Sequence, residues 1–247
     1  MPKNVIDINC LDKAFRGRDV LKGVNLQVKA GEYFGLVGMN GAGKTTLIKS
    51  LLDFCQIDRG SIQIFDAEHR LTEARRQLSF LPERFNPPYF LTGREFLRYM
   101  AELHGVRYQR EAVQQIFRHL DLDLEALARP VRTYSKGMAQ KLGLATCFLS
   151  GRALLVLDKP MSGLDPKARA LFKDYLMRTR NERQTLFFTT HLLNDVESLS
   201  DRLAILHDGE VRYIGTPPDC CRHYQTDTLE RAYLRAIGAE DDWYSAA

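Results

Sequence analysis

The chain has 247 residues, enough for one large domain or a domain with a subdomain at roughly 150 residues per domain. Hydrophobic residues make up 45% and charged residues 27%, which fits a soluble globular protein and excludes collagen-like, disordered and disulfide-scaffold classes. The net charge of +4 is small and its basic residues are scattered, so no nucleic-acid partner is expected; a basic face toward anionic lipid or a basic nucleotide site explains the excess equally well.

In chain order, residues 5–10 and 24–29 alternate apolar and polar side chains around the turn-forming Arg16-Gly17-Arg18-Asp19. This predicts a half-exposed antiparallel layer within a mixed sheet. Short apolar runs follow at 33–37, 78–81, 153–157, 185–188 and 202–206, separated by amphipathic stretches. Doubly buried strands alternating with helices indicate an α/β fold with a mostly parallel sheet. Between the second and third runs, 82–89 is a Pro-rich loop, and 92–104, 108–120 and 124–128 read as helices with no strand between them, as an inserted helical subdomain would. Near the end, 228–238 carries the helical stripe Leu229, Ala232, Tyr233, Ala236 and Ile237. The five cysteines, Cys10, Cys55, Cys147, Cys220 and Cys221, form no Cys-x-x-Cys pair and read as free or buried cytosolic thiols. No signal peptide and no run near the ~20 apolar residues of a membrane span is visible, which predicts a cytoplasmic chain.

The chemistry begins after the run at 33–37. Gly38-Met39-Asn40-Gly41-Ala42-Gly43-Lys44-Thr45-Thr46 satisfies G-x-x-x-x-G-K-[ST] and opens a helix at 45–52. Backbone N–H groups and the positive helix end make an anion cradle, Lys44 adds a charge for the β and γ phosphates, and the Thr45 hydroxyl is a ligand for Mg²⁺. The ligand expected is a nucleoside triphosphate with magnesium. The strand at 153–157 ends in Asp158, the acid that holds magnesium in such sites.

Between these elements lies Tyr134-Ser135-Lys136-Gly137-Met138, with Gln140-Lys141 after it; Ser162-Gly163-Leu164-Asp165 and a lone His191 follow. In order and spacing, over about residues 4–237, the sequence resembles the nucleotide-binding subunit of ATP-binding cassette (ABC) transporters, in the exporter-like branch with a separate permease. The resemblance implies a P-loop NTPase core with a mixed sheet, an N-terminal antiparallel β layer and a helical subdomain at about 84–150. It implies one domain over 4–237 and a frayed tail at 238–247. It also implies that Phe15 stacks on adenine. Ser135 and Gly137, within the altered signature at 135–138, would contact the γ-phosphate bound to the opposite protomer. Asp165 would lie at the dimer seam, and His191 would hydrogen-bond the γ-phosphate and orient the water. ATP would then join two subunits, in a homodimer or heterodimer.

Two departures bear on mechanism. The family's glutamate after the magnesium-binding aspartate is here Lys159, an ammonium at neutral pH that cannot accept a proton. Nucleotide binding with weak or absent hydrolysis is therefore expected. A degenerate subunit beside a competent one, an introduced arrest and a natural variant all fit. At the other departure, Glu83 stands where many members carry glutamine; it would pair with Lys159, orient the water as a substitute base, or bind magnesium.

The resemblance implies an integral membrane permease as partner. Residues 85–99 would receive its coupling helix, with the subunit peripheral on the inner face of the cell membrane. The alternatives are a silent regulatory cassette and a non-transport ABC ATPase.

Overall fold

The computed structural model describes residues 3–180 and 184–239. The backbone divides into two compact units, Met1–Gln77 with Glu182–Ala247, and Leu78–Asn181. Of the expected frayed tail, residues 240–247 lie outside the described residues. The N–H groups of Gly238 and Ala239 donate to the carbonyls of Arg235 and Leu234 at 3.1 and 2.9 Å.

The first unit opens with the antiparallel hairpin of β1 (Asn4–Phe15) and β2 (Arg18–Lys29). Its turn is two residues, Arg16 and Gly17, with φ of 49° and 78°. Two positive φ values match the right-handed twist of the strands. Ile6 and Ile8 are buried, and the register then shifts where Cys10 takes φ 46° and donates its N–H to the Asn25 side chain at 2.9 Å. This irregularity returns odd-numbered Leu11 to the core. β3 (Tyr33–Val37) is buried throughout and leads through a loop to α1 (Lys44–Leu51). β4 (Arg59–Ile64), β5 (Ala67–Glu68) and the single turn α2 (Thr72–Arg75) follow. β4 pairs with β1, giving a wholly antiparallel sheet of order β2-β1-β4-β5.

In the second unit β6 (Leu78–Leu81) is succeeded by α3 (Gly93–His104), α4 (Arg110–His119), α5 (Lys136–Leu149), β7 (Leu154–Asp158) and α6 (Pro166–Thr179). β6 and β7 pair in parallel. A capping box starts α3: Glu95 N–H donates to Thr92 Oγ1 at 3.2 Å, and Thr92 N–H to the Glu95 carboxylate at 2.8 Å. α5 is buried at every position from 140 to 147, which makes it the unit's central helix. Leu124–Ala128, expected as a helix with the others, is a 3₁₀ helix, capped by the Asp123 side chain, which accepts from Glu125 N–H.

The chain returns to the first unit with β8 (Thr185–Thr190), α7 (Leu193–Leu199), β9 (Arg202–His207), β10 (Glu210–Gly215), α8 (Pro217–His223) and α9 (Leu229–Ala236). β3 lies between β8 and β9, parallel to both, and β10 runs antiparallel to β9. The mixed pairing expected in the N-terminal layer therefore belongs to this sheet, through β10. α7 passes so close to β3 that a Cβ on Gly35 would come within 2.7 Å of Ser200 Oγ and 3.1 Å of Val196. All five cysteines are free; burial pushes Cys147 up to about 11 and Cys220 up to about 12, so both stay protonated. Among the described residues no helix is long and apolar enough to cross a membrane.

Candidate nucleotide site

In the first unit the phosphate loop leaves the carboxyl end of β3. Gly38 stands where a Cβ would come within 2.3 Å of the Leu206 carbonyl of β9, so only glycine passes there. Gly43 caps α1 with φ 109°, and a Cβ would lie 2.9 Å from the Val20 carbonyl. The loop is held from behind by Gly209 N–H, which donates to the Ala42 carbonyl at 3.3 Å. Lys44 is only 4% exposed; its ammonium donates to the carbonyls of Gly38 at 2.6 Å and Met39 at 2.8 Å. A cation is thereby stationed at the loop, beside the N–H-rich start of α1 with no acidic residue in its first turn. Met39, Asn40, Gly41 and Thr45 are exposed, Thr46 half-buried and Ala42 buried.

β3 and β8 end level, with Val37 opposite Thr190, so the loop and His191 leave the same sheet edge. His191 is exposed. Thr190 fixes its turn: the hydroxyl accepts from Leu192 N–H at 3.0 Å and donates to Asp195 at 3.4 Å. Phe15 ends β1 with 46% of its surface open, and the Lys13 ammonium lies 5.0 Å from its ring centroid. An aromatic so placed is available for stacking.

The second unit holds the other residues. Leu81 of β6 pairs with Leu157 of β7, so Glu83 and the Asp158-Lys159 pair also follow a common edge. Asp158 is buried. Lys159 takes φ 47°, and its ammonium lies 3.1 and 3.0 Å from the two carboxylate oxygens of Glu83. Glu83 is thus ion-paired with Lys159.

Ser135 caps α5, its hydroxyl accepting from Met138 N–H at 3.2 Å, and Lys136 follows as an exposed first-turn residue. Gly137 sits so close to the 160–165 loop that a Cβ would be 2.9 Å from the Gly163 carbonyl. Asp165 caps α6 by accepting from Ala168 N–H at 2.9 Å. That hydrogen bond, with Lys141 adding attraction, holds its carboxyl below the usual range. Lys141 and Gln140 carried no role in the sequence reading, yet both are buried against this loop. The available signal was two long polar residues at the start of an otherwise apolar helix.

The family described as ABC transporter matches residues 21–162, more than half of the chain. The chain belongs to the ABC transporter family. Its sequence is 35% identical over 217 residues to the uncharacterized ABC transporter ATP-binding protein YdbJ of Bacillus subtilis (strain 168), covering 86% of this chain and 69% of that protein. It is 34% identical over 221 residues to Nod factor export ATP-binding protein I of Burkholderia lata, covering 88% and 72%. It spans 56% and 58% of the length of two further ABC transporter relatives. A solved structure described as an ATP binding subunit of an ABC transporter superposes with a TM-score of 0.80 at 28% identity, covering 94% of this chain and 99% of the other.

Proposed function

We propose that this ABC protein binds Mg-ATP and closes with a second nucleotide-binding subunit to drive export through a separate integral membrane permease, with hydrolysis impaired by Lys159. The observation that carries the binding step is the phosphate loop, where Lys44 and the start of α1 present positive charge beside Gly38 and Gly43, at which a Cβ would clash with backbone carbonyls. Residues 38–46 bind the phosphates and Phe15 stacks on adenine, a role supported by its exposure at the end of β1. Thr45 and Asp158 hold the magnesium, which when bound neutralises phosphate charge. Glu83 is a further candidate ligand, but its carboxylate is already paired with Lys159. A hydroxyl and one carboxylate suit magnesium, which takes few protein ligands beside phosphate and water.

Residues 135–138 face the ATP of the opposite protomer through Ser135 and Gly137, Asp165 lies at the seam, and His191 contacts the γ-phosphate. We take the chain over 4–237 as one ATPase domain, with a helical subdomain at about 84–150. The permease docks on 85–99, a reading supported by the exposed rings of Tyr89, Phe90 and Tyr99. Docking there makes the subunit peripheral on the inner face of the membrane. Export is supported by the resemblance and by the name of the Burkholderia relative.

Lys159 also favours a second reading, a regulatory cassette that closes on ATP without turning it over. Titration with a fluorescent ATP analogue tests the binding step. The chain is expected to bind in the presence of Mg²⁺, and Lys44→Ala to lose about tenfold or more in affinity, the loss of a charged hydrogen-bond donor. Equal affinities would contradict the assignment. Co-purification with a membrane protein tests the permease.

A further inference from the structure

One face of α5 is spent on a single loop. Gly137, Gln140 and Lys141 stand at i, i+3 and i+4, the spacing that aligns residues on one side of a helix. All three meet residues 160–165, which join β7 to α6. Gly137 brings the backbone against Gly163. Gln140 donates to the Pro160 carbonyl at 3.3 Å, and it is 4% exposed. Lys141, 7% exposed, donates to the Asp121 carbonyl at 2.9 Å and lies 3.8 Å from the Asp165 carboxylate. The Asp121 carboxylate in turn takes Lys167 of α6 at 2.8 Å. A lysine this deep is tolerated only with its donors placed, so its position is strongly determined.

The same loop starts at Lys159, bound to Glu83, and ends at Asp165; the same helix starts at Ser135. We infer that Gln140 and Lys141 are positioning residues that lock the 159–165 segment to the helix carrying Ser135, so that the residues facing a protomer's own nucleotide and those facing its partner's move as one body. The inference rests on the ATP-closed dimer proposed above. Neither residue is among those proposed to touch the protomer's own ATP or its magnesium, so the expected effect is on closure.

The test uses the full chain, its Gln140→Leu, Lys141→Met and Lys141→Arg variants, and Ser135→Ala as a control that weakens closure. Nucleotide affinity of the protomer, Mg-ATP-driven dimerisation by light scattering, and hydrogen exchange at 160–165 without nucleotide are measured together. Gln140→Leu and Lys141→Met are expected to keep protomer affinity within about twofold and to need about tenfold more protein to dimerise, as losing one buried charged or amide hydrogen bond predicts. Exchange at 160–165 rises in both, and Lys141→Arg restores dimerisation and protection. Dimerisation and exchange unchanged in both variants would overturn the inference even where Ser135→Ala confirms the dimer. If the parent chain binds ATP and stays monomeric, the dimer reading fails; exchange at 160–165 then decides the positioning role alone.

Discussion

Position 159 carries a positive charge that Glu83 neutralises at 3.0 Å, with the lysine side chain 15% and the glutamate 39% exposed. A pair this open is worth little, so Glu83→Gln is expected to lower stability by only about 1 kcal/mol in urea unfolding, and a loss above about 3 kcal/mol would mark it as a buried structural pair. Lys159 was legible as a departure because the family the sequence resembles carries a glutamate after the aspartate at this position. Its partner was not decided by sequence, because Glu83 lies 76 positions away and three roles suited it. His69 had no sequence signal at all. It is buried, its Nδ1 3.1 Å from the Ile62 carbonyl, and desolvation lowers its pKa from the ordinary value. The unfolded chain therefore takes a proton before the folded one does. Stability is whole above about pH 6.5 and falls as the pH drops through the folded value, and His69→Gln should flatten that loss in thermal melts between pH 7 and pH 5. An unchanged slope would remove His69 as a cause.

At the scale of elements, sequence periodicity located β3 and β6 to the residue, because continuous apolar runs bounded by Gly or Pro leave little freedom in their ends. The expected run at 5–10 stopped short of β1 because Cys10 breaks the alternation, and a strand that changes buried parity midway has no single period. β4 and β10 escaped because only two and three of their six residues are apolar, and that signal separates poorly from a loop. The start of α3 was more legible, since Thr92, where the helix at 92–104 was expected to begin, caps it through its own side chain; Ser135 and Asp165 do the same for α5 and α6, two helices the sequence reading did not mark. Thr92→Ala, which removes the hydroxyl half of the α3 capping box and leaves the backbone N–H of position 92 donating to Glu95, is expected to cost about 1 kcal/mol, measured by denaturant midpoint. No change would mean the hydroxyl half contributes nothing. Glu95, held below the usual carboxylate range by the Thr92 bonds, adds a loss as the pH falls below about 4.

For the molecule as a whole, the family was readable because six short motifs keep their order through a chain whose contacts divide into two units. Motif order survives in sequence; the strap of Gln140 and Lys141 does not, since burial of a polar side chain is a property of packing. The phosphate loop and the turn at Lys159 therefore stand differently in the account. One is fixed by close backbone approaches that exclude a Cβ at Gly38 and Gly43; the other is a lysine at the position proposed above to need a base. The central claim is that this lysine lets ATP bind while withholding turnover. Steady-state phosphate release with Mg-ATP, comparing the chain with its Lys159→Glu variant at equal nucleotide occupancy, tests it directly. The account predicts that the variant exceeds the parent by about a hundredfold or more, the scale of general-base catalysis. Equal turnover in both would contradict it and move the base to another residue, Glu83 or His191 first.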